Sequence, residues 1–406
     1  MEEIPQVPEA PERGVSRRGL LIGGGGAAVG VLAAWAVIAT LDSRSGKGSA
    51  SGSASASASA KSLGALATPQ LLTPEPIGAV YAADILGARA APAVAVSPDG
   101  KLVAVGYVHT QMDSAAGGFV QVWRVADGKF VAATKVPDYG ALSLAFSPNG
   151  DTLAISAGYA VLLWNLDSAT APVGVPDVVN VYESATALAF SPNGKTLASV
   201  DSARVQLWSV SGTIATASSS IAVGDDSAVV SLTNFLFSPD GTLAALGVTN
   251  LDSKNVDGTS RQLTTWEMGS GKQIDRAVPS GGTDDALSIA FSPDGKSIVT
   301  ASSKVEIWDA RGSSAPRATW TAPEADDESP FADVLYSHSG KYILVVGLSG
   351  VLLYLLSATS GKPLATYSTG SLAVTSARFL AKDAGIACCG FNTADNTPRA
   401  WLSRFA

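Results

Sequence analysis

Clustered carboxylates are the side chains of this sequence best suited to chemistry. They can attract a basic partner or a cation, or act as acids and bases. We predict a candidate interaction face from acidic residues that fall between predicted strands: Asp138, Glu183, Asp225, Asp226, Asp284, Asp285, Glu324, Asp326, Asp327 and Glu328. These residues lack the regular ligand spacing of a known Ca²⁺ loop. Exposed charge runs are also often solvated loop charge with no specific use, and both interpretations stay open.

Histidine and cysteine are too scarce for most catalytic or metal sites. The chain has two histidines, His109 and His338, and two adjacent cysteines, Cys388 and Cys389. The histidines fall in two loop types that emerge on opposite faces of the predicted fold, and a zinc site needs at least three convergent ligands. Neighbouring strand residues point to opposite faces, so the cysteines are a poor disulfide pair. No serine has a predicted base nearby, and we predict no catalytic residue, cofactor or metal.

The sequence contains an internal repeat, and the fold that this repeat forms determines where any functional side chains lie. A Ser-Pro-Asp/Asn-Gly block recurs with spacings of about 43 to 54 residues, close to the period of a four-stranded propeller blade. Clear copies begin at Ser97, Ser147, Ser191, Ser238 and Ser292, a degenerate copy begins at Ser337, and a seventh position spans residues 379–385.

Each copy predicts four antiparallel strands. An apolar strand precedes the block, whose Pro, Asp/Asn and Gly favour a tight hairpin, and a second apolar strand follows. A third strand ends in an aromatic residue, and a more polar fourth strand completes the unit. We interpret the aromatic residues as packing between blades: Trp123, Trp164, Trp208, Trp266, Trp308, Tyr354 and Trp401.

This pattern resembles the WD-repeat family, in its bacterial style with Ser-Pro-Asp-Gly turns. Only Trp308-Asp309 keeps the Trp-Asp pair, and the Gly-His pair of many members is missing. The resemblance implies an all-β, seven-bladed β-propeller over residues 75–406. It also implies that an N-terminal strand, which we expect at residues 77–84, completes the last blade and removes its open edge.

The predicted propeller has two different faces. We name as the loop-rich face the end formed by connections from fourth to first and from second to third strands, where the acidic residues lie. We name as the tight-turn face the opposite end, which receives lysines at the hairpin turns: Lys101, Lys129, Lys195, Lys272, Lys296, Lys341 and Lys362.

The first 74 residues predict a membrane-targeting segment followed by a flexible linker. Residues 1–18 form a short cytoplasmic tail, and residues 19–41 are an uncharged run long enough to cross a bilayer as a helix. Arg17 and Arg18 resemble a twin-arginine signal, so export after signal cleavage is the alternative. Residues 42–74, rich in Ser, Ala, Gly and Pro, predict a flexible linker.

These features favour a binding protein over an enzyme. We expect a membrane-tethered, non-enzymatic scaffold whose extracytoplasmic propeller binds a protein or peptide, possibly a basic one, through its acidic loops. The net charge of −8 argues against nucleic acid as the partner. The alternative is a propeller enzyme, lactonase-like or quinoprotein-like, with convergent acids in the central channel.

Overall fold

Seven four-stranded antiparallel sheets make up the described part of the chain, which confirms the predicted all-β propeller. The computed structural model describes residues 63–67, 69–72, 88–109, 118–136, 141–157, 160–166, 177–180, 185–200, 204–222, 230–250, 261–277, 279, 288–323, 331–347, 350–395 and 397–405. Among these residues no helix is long and apolar enough to cross a membrane. The expected anchor at residues 19–41 lies outside them.

The strands follow one another blade by blade along the chain. The short strand β1 (Gln70–Leu71) comes first. Blade 1 contains β2 (Ala88–Val96), β3 (Leu102–His109), β4 (Gly118–Arg124) and β5 (Phe130–Val136). Blade 2 contains β6 (Ala141–Phe146), β7 (Thr152–Ala157), β8 (Ala160–Asn165) and β9 (Asp177–Asn180). Blade 3 contains β10 (Ala187–Phe190), β11 (Thr196–Val200), β12 (Arg204–Ser211) and β13 (Ile214–Ala222).

The remaining four blades repeat the same order. Blade 4 contains β14 (Val230–Phe237), β15 (Leu243–Asn250), β16 (Arg261–Glu267) and β17 (Lys272–Ala277). Blade 5 contains β18 (Ser288–Phe291), β19 (Ser297–Ala301), β20 (Val305–Asp309) and β21 (Ala318–Trp320). Blade 6 contains β22 (Asp333–Tyr336), β23 (Tyr342–Val346), β24 (Leu352–Ser357) and β25 (Pro363–Ser368). Blade 7 contains β26 (Leu372–Phe379), a 3₁₀ turn (Ala381–Asp383), β27 (Gly385–Asn392) and β28 (Pro398–Arg404).

An N-terminal strand completes blade 7, but it lies earlier in the chain than expected. β1 pairs antiparallel with β28, with Gln70 opposite Leu402 and Leu71 opposite Trp401. The placement of the closing strand at residues 77–84 was therefore wrong, and that stretch lies outside the described residues. This stretch resembles other fourth strands of the repeat, but composition alone cannot distinguish it from neighbouring candidates. Two strand residues are enough here because Leu72 is also buried, between blades 7 and 1.

Seven hydrophobic clusters lie at the seven seams between neighbouring blades. Each contains the aromatic residue of the third strand of one blade and apolar residues of the preceding blade. Trp123, for example, packs with Ala387 and Leu402 of blade 7, and this cluster closes the ring. The structure thus confirms the predicted packing role of the aromatic residues.

The Ser-Pro-Asp/Asn-Gly block forms a self-bonded hairpin turn. In blade 1 the Ser97 hydroxyl donates to Asp99 Oδ1 at 2.6 Å and accepts from the Leu102 amide at 2.9 Å. Gly100 has φ +70°, a conformation in which L side chains are strained. The turns also stack around the ring. The Pro98 ring lies where a side chain on Gly150 of the next blade would touch it.

Candidate functional site

The predicted acidic interaction face lies outside the described residues. This holds for all ten of its members: Asp138, Glu183, Asp225, Asp226, Asp284, Asp285, Glu324, Asp326, Asp327 and Glu328. The strands that flank these positions are described, and their antiparallel order places fourth-to-first and second-to-third connections at one end of every blade. The acidic interaction face itself stays a prediction.

The tight-turn face carries charges of both signs. Its lysines sit in the hairpin turns as expected, but aspartates of the same turns neighbour some of them. Lys101 Nζ lies 3.0 Å from Asp99 Oδ2, and both side chains are mostly exposed. Arg124 Nη1 similarly lies 3.1 Å from Asp127 Oδ2. Exposed pairs of this kind contribute little stability and leave no strongly basic surface at these turns.

The turn aspartates are ionised for a structural reason. The hydrogen bond from the Ser97 hydroxyl, with one from the Lys101 amide, lowers the pKa of Asp99 to about 2. Hydrogen bonds from Ser238 and Ser292 likewise lower the pKa of Asp240 and of Asp294. These carboxylates accept bonds that shape the turn, and this role does not require a ligand.

A central channel opens inside the ring of first strands. First strands of neighbouring blades contact one another around this ring. A cavity of about 400 Å³ lies in the channel, between blades 1, 4, 5, 6 and 7. Its wall mixes apolar residues such as Leu236 and Phe379 with polar ones such as Asn234 and Arg378. Asp333 is the one carboxylate among the described residues that line this cavity.

One oxygen of Asp333 connects blade 6 to blade 5. The Ser288 hydroxyl donates to Asp333 Oδ1 at 3.0 Å, and the Val334 amide donates to the same oxygen at 2.9 Å. The Val334 amide also lies 3.1 Å from the Ser288 hydroxyl oxygen, which can accept from it. Since Val334 belongs to an innermost strand, the serine supplies a partner for an amide at the channel edge.

The other oxygen of Asp333 connects blade 6 to blade 7. It accepts from the Ser376 hydroxyl at 2.9 Å, the Ala377 amide at 3.3 Å and Arg378 Nη1 at 2.9 Å. The Asp333 residue is buried, whereas the Arg378 side chain is 42% exposed. Five donors from blades 5, 6 and 7 therefore hold this carboxylate, which links the three blades.

Arg378 breaks the pattern of the repeat. The residues that precede the last position of the other six first strands are small or apolar: Ala95, Ala145, Ala189, Leu236, Ala290 and Leu335. The pairing of Arg378 with Asp333 was not predicted, although both charged residues occupy repeat positions that hold uncharged residues in the other blades.

The two histidines are far apart in the repeat, as expected. His109 is the last residue of β3, at the loop-rich end, whereas His338 lies in the turn after β22. His338 replaces a turn proline, so its backbone amide is free to donate. Asp383 of blade 7 accepts from this amide at 2.6 Å and from the Ser339 amide at 3.1 Å. This bond between blades 6 and 7 was not predicted.

No metal cluster emerges from the described residues. They contain no group of three or more His, Cys, Asp or Glu side chains placed to hold an ion. The two cysteines are buried, and burial raises the pKa of Cys389 to about 12. Its thiol therefore stays protonated and unreactive near neutral pH.

Two tryptophans make a buried hydrogen bond that sequence analysis did not predict. Trp208 Nε1 donates to the Ser199 hydroxyl at 2.9 Å, and Trp308 Nε1 donates to the Thr300 hydroxyl at 3.0 Å. In both blades the hydroxyl comes from the second strand, beside the third-strand tryptophan.

Blades 3 and 5 also contain most of the residues that match a known family. Residues 179–209 and 277–309 match the WD40 family, described as WD domain, G-beta repeat. The segments end at Ser209 and Asp309, directly after the two hydrogen-bonded tryptophans. Together, the fold and these matches support a WD-repeat propeller.

A solved structure shares this propeller fold. The β-propeller domain of Cps50 (Swd1) from Myceliophteria thermophila superposes with a TM-score of 0.62 at 13% sequence identity. The alignment covers 78% of this chain and 96% of that domain. No curated protein sequence matches this chain.

Proposed function

We propose that this protein is a non-enzymatic binding platform whose WD-repeat propeller docks a protein or peptide partner. WD-repeat propellers typically serve as protein-interaction scaffolds. The observation that carries the proposal is the bonding of Asp333. In an enzyme of the lactonase-like or quinoprotein-like kind, channel carboxylates hold a metal, a cofactor or a proton. Here the channel carboxylate is occupied by five donors that join three blades.

The docking surface of the proposal is the loop-rich face. The tight-turn face has short turns that bond to themselves and charges of both signs, so it offers a partner little that is distinctive. The sequence assigns ten acidic residues to the opposite face, and a partner with a basic surface would complement them. The net charge of −8 also favours a positively charged partner and disfavours nucleic acid.

The location of the platform is part of the proposal. Residues 19–41 would anchor the chain in the cell membrane, with the propeller on the extracytoplasmic side. Export after cleavage of a signal is the alternative. Intact protein that stays in the membrane fraction after alkaline extraction supports the anchor. A soluble exported protein that lacks residues 1–41 supports cleavage.

A partner-capture experiment tests the docking surface. Full-length protein in detergent is compared with a variant in which Asp284, Asp285, Asp326 and Asp327 are changed to Asn. We expect the intact protein to retain a basic partner that the variant loses, and retention to fall with added salt, because such contacts are screened.

A matched control variant separates the effect of the acidic loops from the effect of overall net charge. The control variant loses four carboxylates on the tight-turn face through the substitutions Asp127→Asn, Asp151→Asn, Glu267→Gln and Asp309→Asn. It has the same net charge as the acidic-face variant and should retain the partner. Equal retention by all three proteins would contradict the proposed docking surface.

A further inference from the structure

The channel cavity extends to the tight-turn face. Its described lining residues begin with Asn234 and Asp333, each the fourth residue from the end of a first strand, and they reach the hairpin turns. Pro98, Pro239 and His338 are the lining residues that belong to these turns. A volume of about 400 Å³ lies within the range of small-molecule sites. The cavity can therefore hold a small ligand, and it is separate from the docking surface proposed above.

Arg378 brings an unused cationic edge to this cavity. Its Nη1 atom donates to Asp333 Oδ2 at 2.9 Å, to the Ser376 hydroxyl at 3.2 Å and to the Ala377 carbonyl. Within the described part of the chain, its Nη2 and Nε atoms have no hydrogen-bond partner. Because the side chain is 42% exposed and lines the cavity, these N–H groups can reach a ligand there.

The nearby carboxylates leave this edge available. Asp333 engages one nitrogen of Arg378 and is already held by four other donors. Asp99 and Asp383 belong to turns at the rim, but neither is among the described residues that line the cavity. Their oxygens accept hydrogen bonds from turn residues. A ligand in the cavity therefore meets a guanidinium edge whose partner carboxylate is fully bonded.

Asn234 supplies a second polar group without a partner. It occupies in blade 4 the position that Ser143 holds in blade 2 and Ser288 holds in blade 5. Each of these serine hydroxyls accepts from a backbone amide of the next blade, at 3.1 Å in both cases. The Asn234 side chain makes no hydrogen bond to any residue that the structure describes. Its amide can both donate to a ligand and accept from one.

We propose that the channel cavity binds a small organic carboxylate. Arg378 holds the carboxylate group through its unused edge, and Asn234 adds a further hydrogen bond. Leu236, Phe291 and Phe379, which also line the cavity, contact the apolar body of the ligand. A small number of polar groups within a partly apolar wall is typical of small-molecule sites.

The donor set favours a carboxylate over other anions. Two parallel N–H groups of a guanidinium match the two oxygens of a carboxylate. An inorganic anion would leave the apolar wall without a contact. The net charge of −8 repels anions in general, so any preference for a carboxylate must come from a local cation such as Arg378.

Ligand-observed NMR titration of the full-length protein in detergent tests the site. The probes are phenylacetate and its neutral counterpart phenylacetamide, with micelles that lack protein as the blank. We expect phenylacetate to bind about tenfold more tightly than phenylacetamide, because only the acid makes charge-assisted bonds to Arg378. The peptide Gly-Gly-Phe is compared with its C-terminal amide. Tighter binding of the peptide acid than of phenylacetate assigns the site to a chain end, and the reverse assigns it to a free acid.

Two variants locate the binding within the cavity. Arg378→Lys keeps a cation beside Asp333 but removes the second edge, so phenylacetate should bind about tenfold more weakly. Asn234→Leu removes no hydrogen bond among the described residues, so the unfolding midpoint should not fall. Binding of phenylacetate to this variant should weaken by about two- to tenfold.

A matched substitution outside the channel serves as the control. Arg124→Lys changes an exposed arginine of the tight-turn face and should leave binding unchanged. Equal affinity for phenylacetate and phenylacetamide would overturn the proposal. Binding that neither Arg378→Lys nor Asn234→Leu weakens, or no binding of either carboxylate probe, would overturn it as well. None of these outcomes depends on the acidic loops, so they leave the proposed docking surface to its own test.

Discussion

Blades 3 and 5 differ from blades 1 and 7 in how they treat the same tryptophan. In blades 3 and 5 the indole N–H donates to Ser199 or Thr300. In blades 1 and 7 the indole N–H groups of Trp123 and Trp401 are buried without a hydrogen-bond partner. The position that supplies the hydroxyl in blades 3 and 5 is occupied by Val105 in blade 1 and by Gly390 in blade 7.

This difference separates two roles of the tryptophan. Packing of its ring against the preceding blade occurs in both groups, so packing is what the fold requires. The hydrogen bond is an addition present in the two blades that match the WD40 family. The two blades without it meet at the seam where the ring closes. That seam also depends on a two-residue strand, so we expect it to be the weakest.

Leu72→Ala should have the largest effect, because Leu72 fills the closing seam. It is 2% exposed and packs between blades 7 and 1. We expect a loss of about 2–5 kcal/mol in the free energy of unfolding, since the change leaves a cavity. We also expect faster proteolysis of residues 63–72. Leu207→Ala, in an interior seam, is the control and should leave this segment protected.

Gly390→Ser should destabilise the protein although it offers Trp401 a hydroxyl. A side chain at Gly390 would overlap the Ala373 carbonyl, so the backbone of β26 would have to move. We expect a loss of about 1–3 kcal/mol by chemical denaturation. A stabilised variant would show that the missing bond, and not backbone spacing, limits blade 7.

Ser199→Ala and Thr300→Val should each remove the distinguishing bond of blades 3 and 5. Each leaves a buried indole N–H without a partner, which costs about 1–3 kcal/mol. The same chemical denaturation experiment measures the loss. If neither variant changes the free energy of unfolding, the hydrogen bond does not distinguish the two groups energetically.

Val105→Thr should make blade 1 resemble blades 3 and 5. The two side chains have nearly the same shape, and the new hydroxyl would lie where Thr300 lies in blade 5. We expect a gain of about 0.5–1.5 kcal/mol from satisfying Trp123. A loss of stability would mean that the buried hydroxyl fails to reach the indole.

Low pH should destabilise the hairpin turns of blades 1 and 5 alike. This test therefore gives the smallest difference between the two groups of blades. The pKa values of Asp99 in blade 1 and Asp294 in blade 5 are lowered in the folded state. The contribution of Asp99 is therefore present above pH 4 and is lost as the pH falls toward about 2, and that of Asp294 is lost in the same direction. A variant with Asp99→Asn, Asp240→Asn and Asp294→Asn should show a shallower loss in acid unfolding curves.

The sequence alone determined the number of blades, the hairpin turns and the packing residues. A repeat of about 43 to 54 residues carries its signal locally, because Pro, Asp and Gly shape a turn through their own backbone and side-chain bonds. The third-strand aromatic residues recur once per blade, so their role followed from the same period.

Only the tertiary structure decided how the ring closes and what its channel contains. β1 and β28 lie more than three hundred residues apart, and a two-residue strand has no pattern of its own. Ser288, Asp333 and Ser376 are each the fourth residue from the end of a first strand, and they meet because the strands stand side by side around the channel. Contacts of this kind depend on the arrangement of blades, which local sequence patterns do not encode.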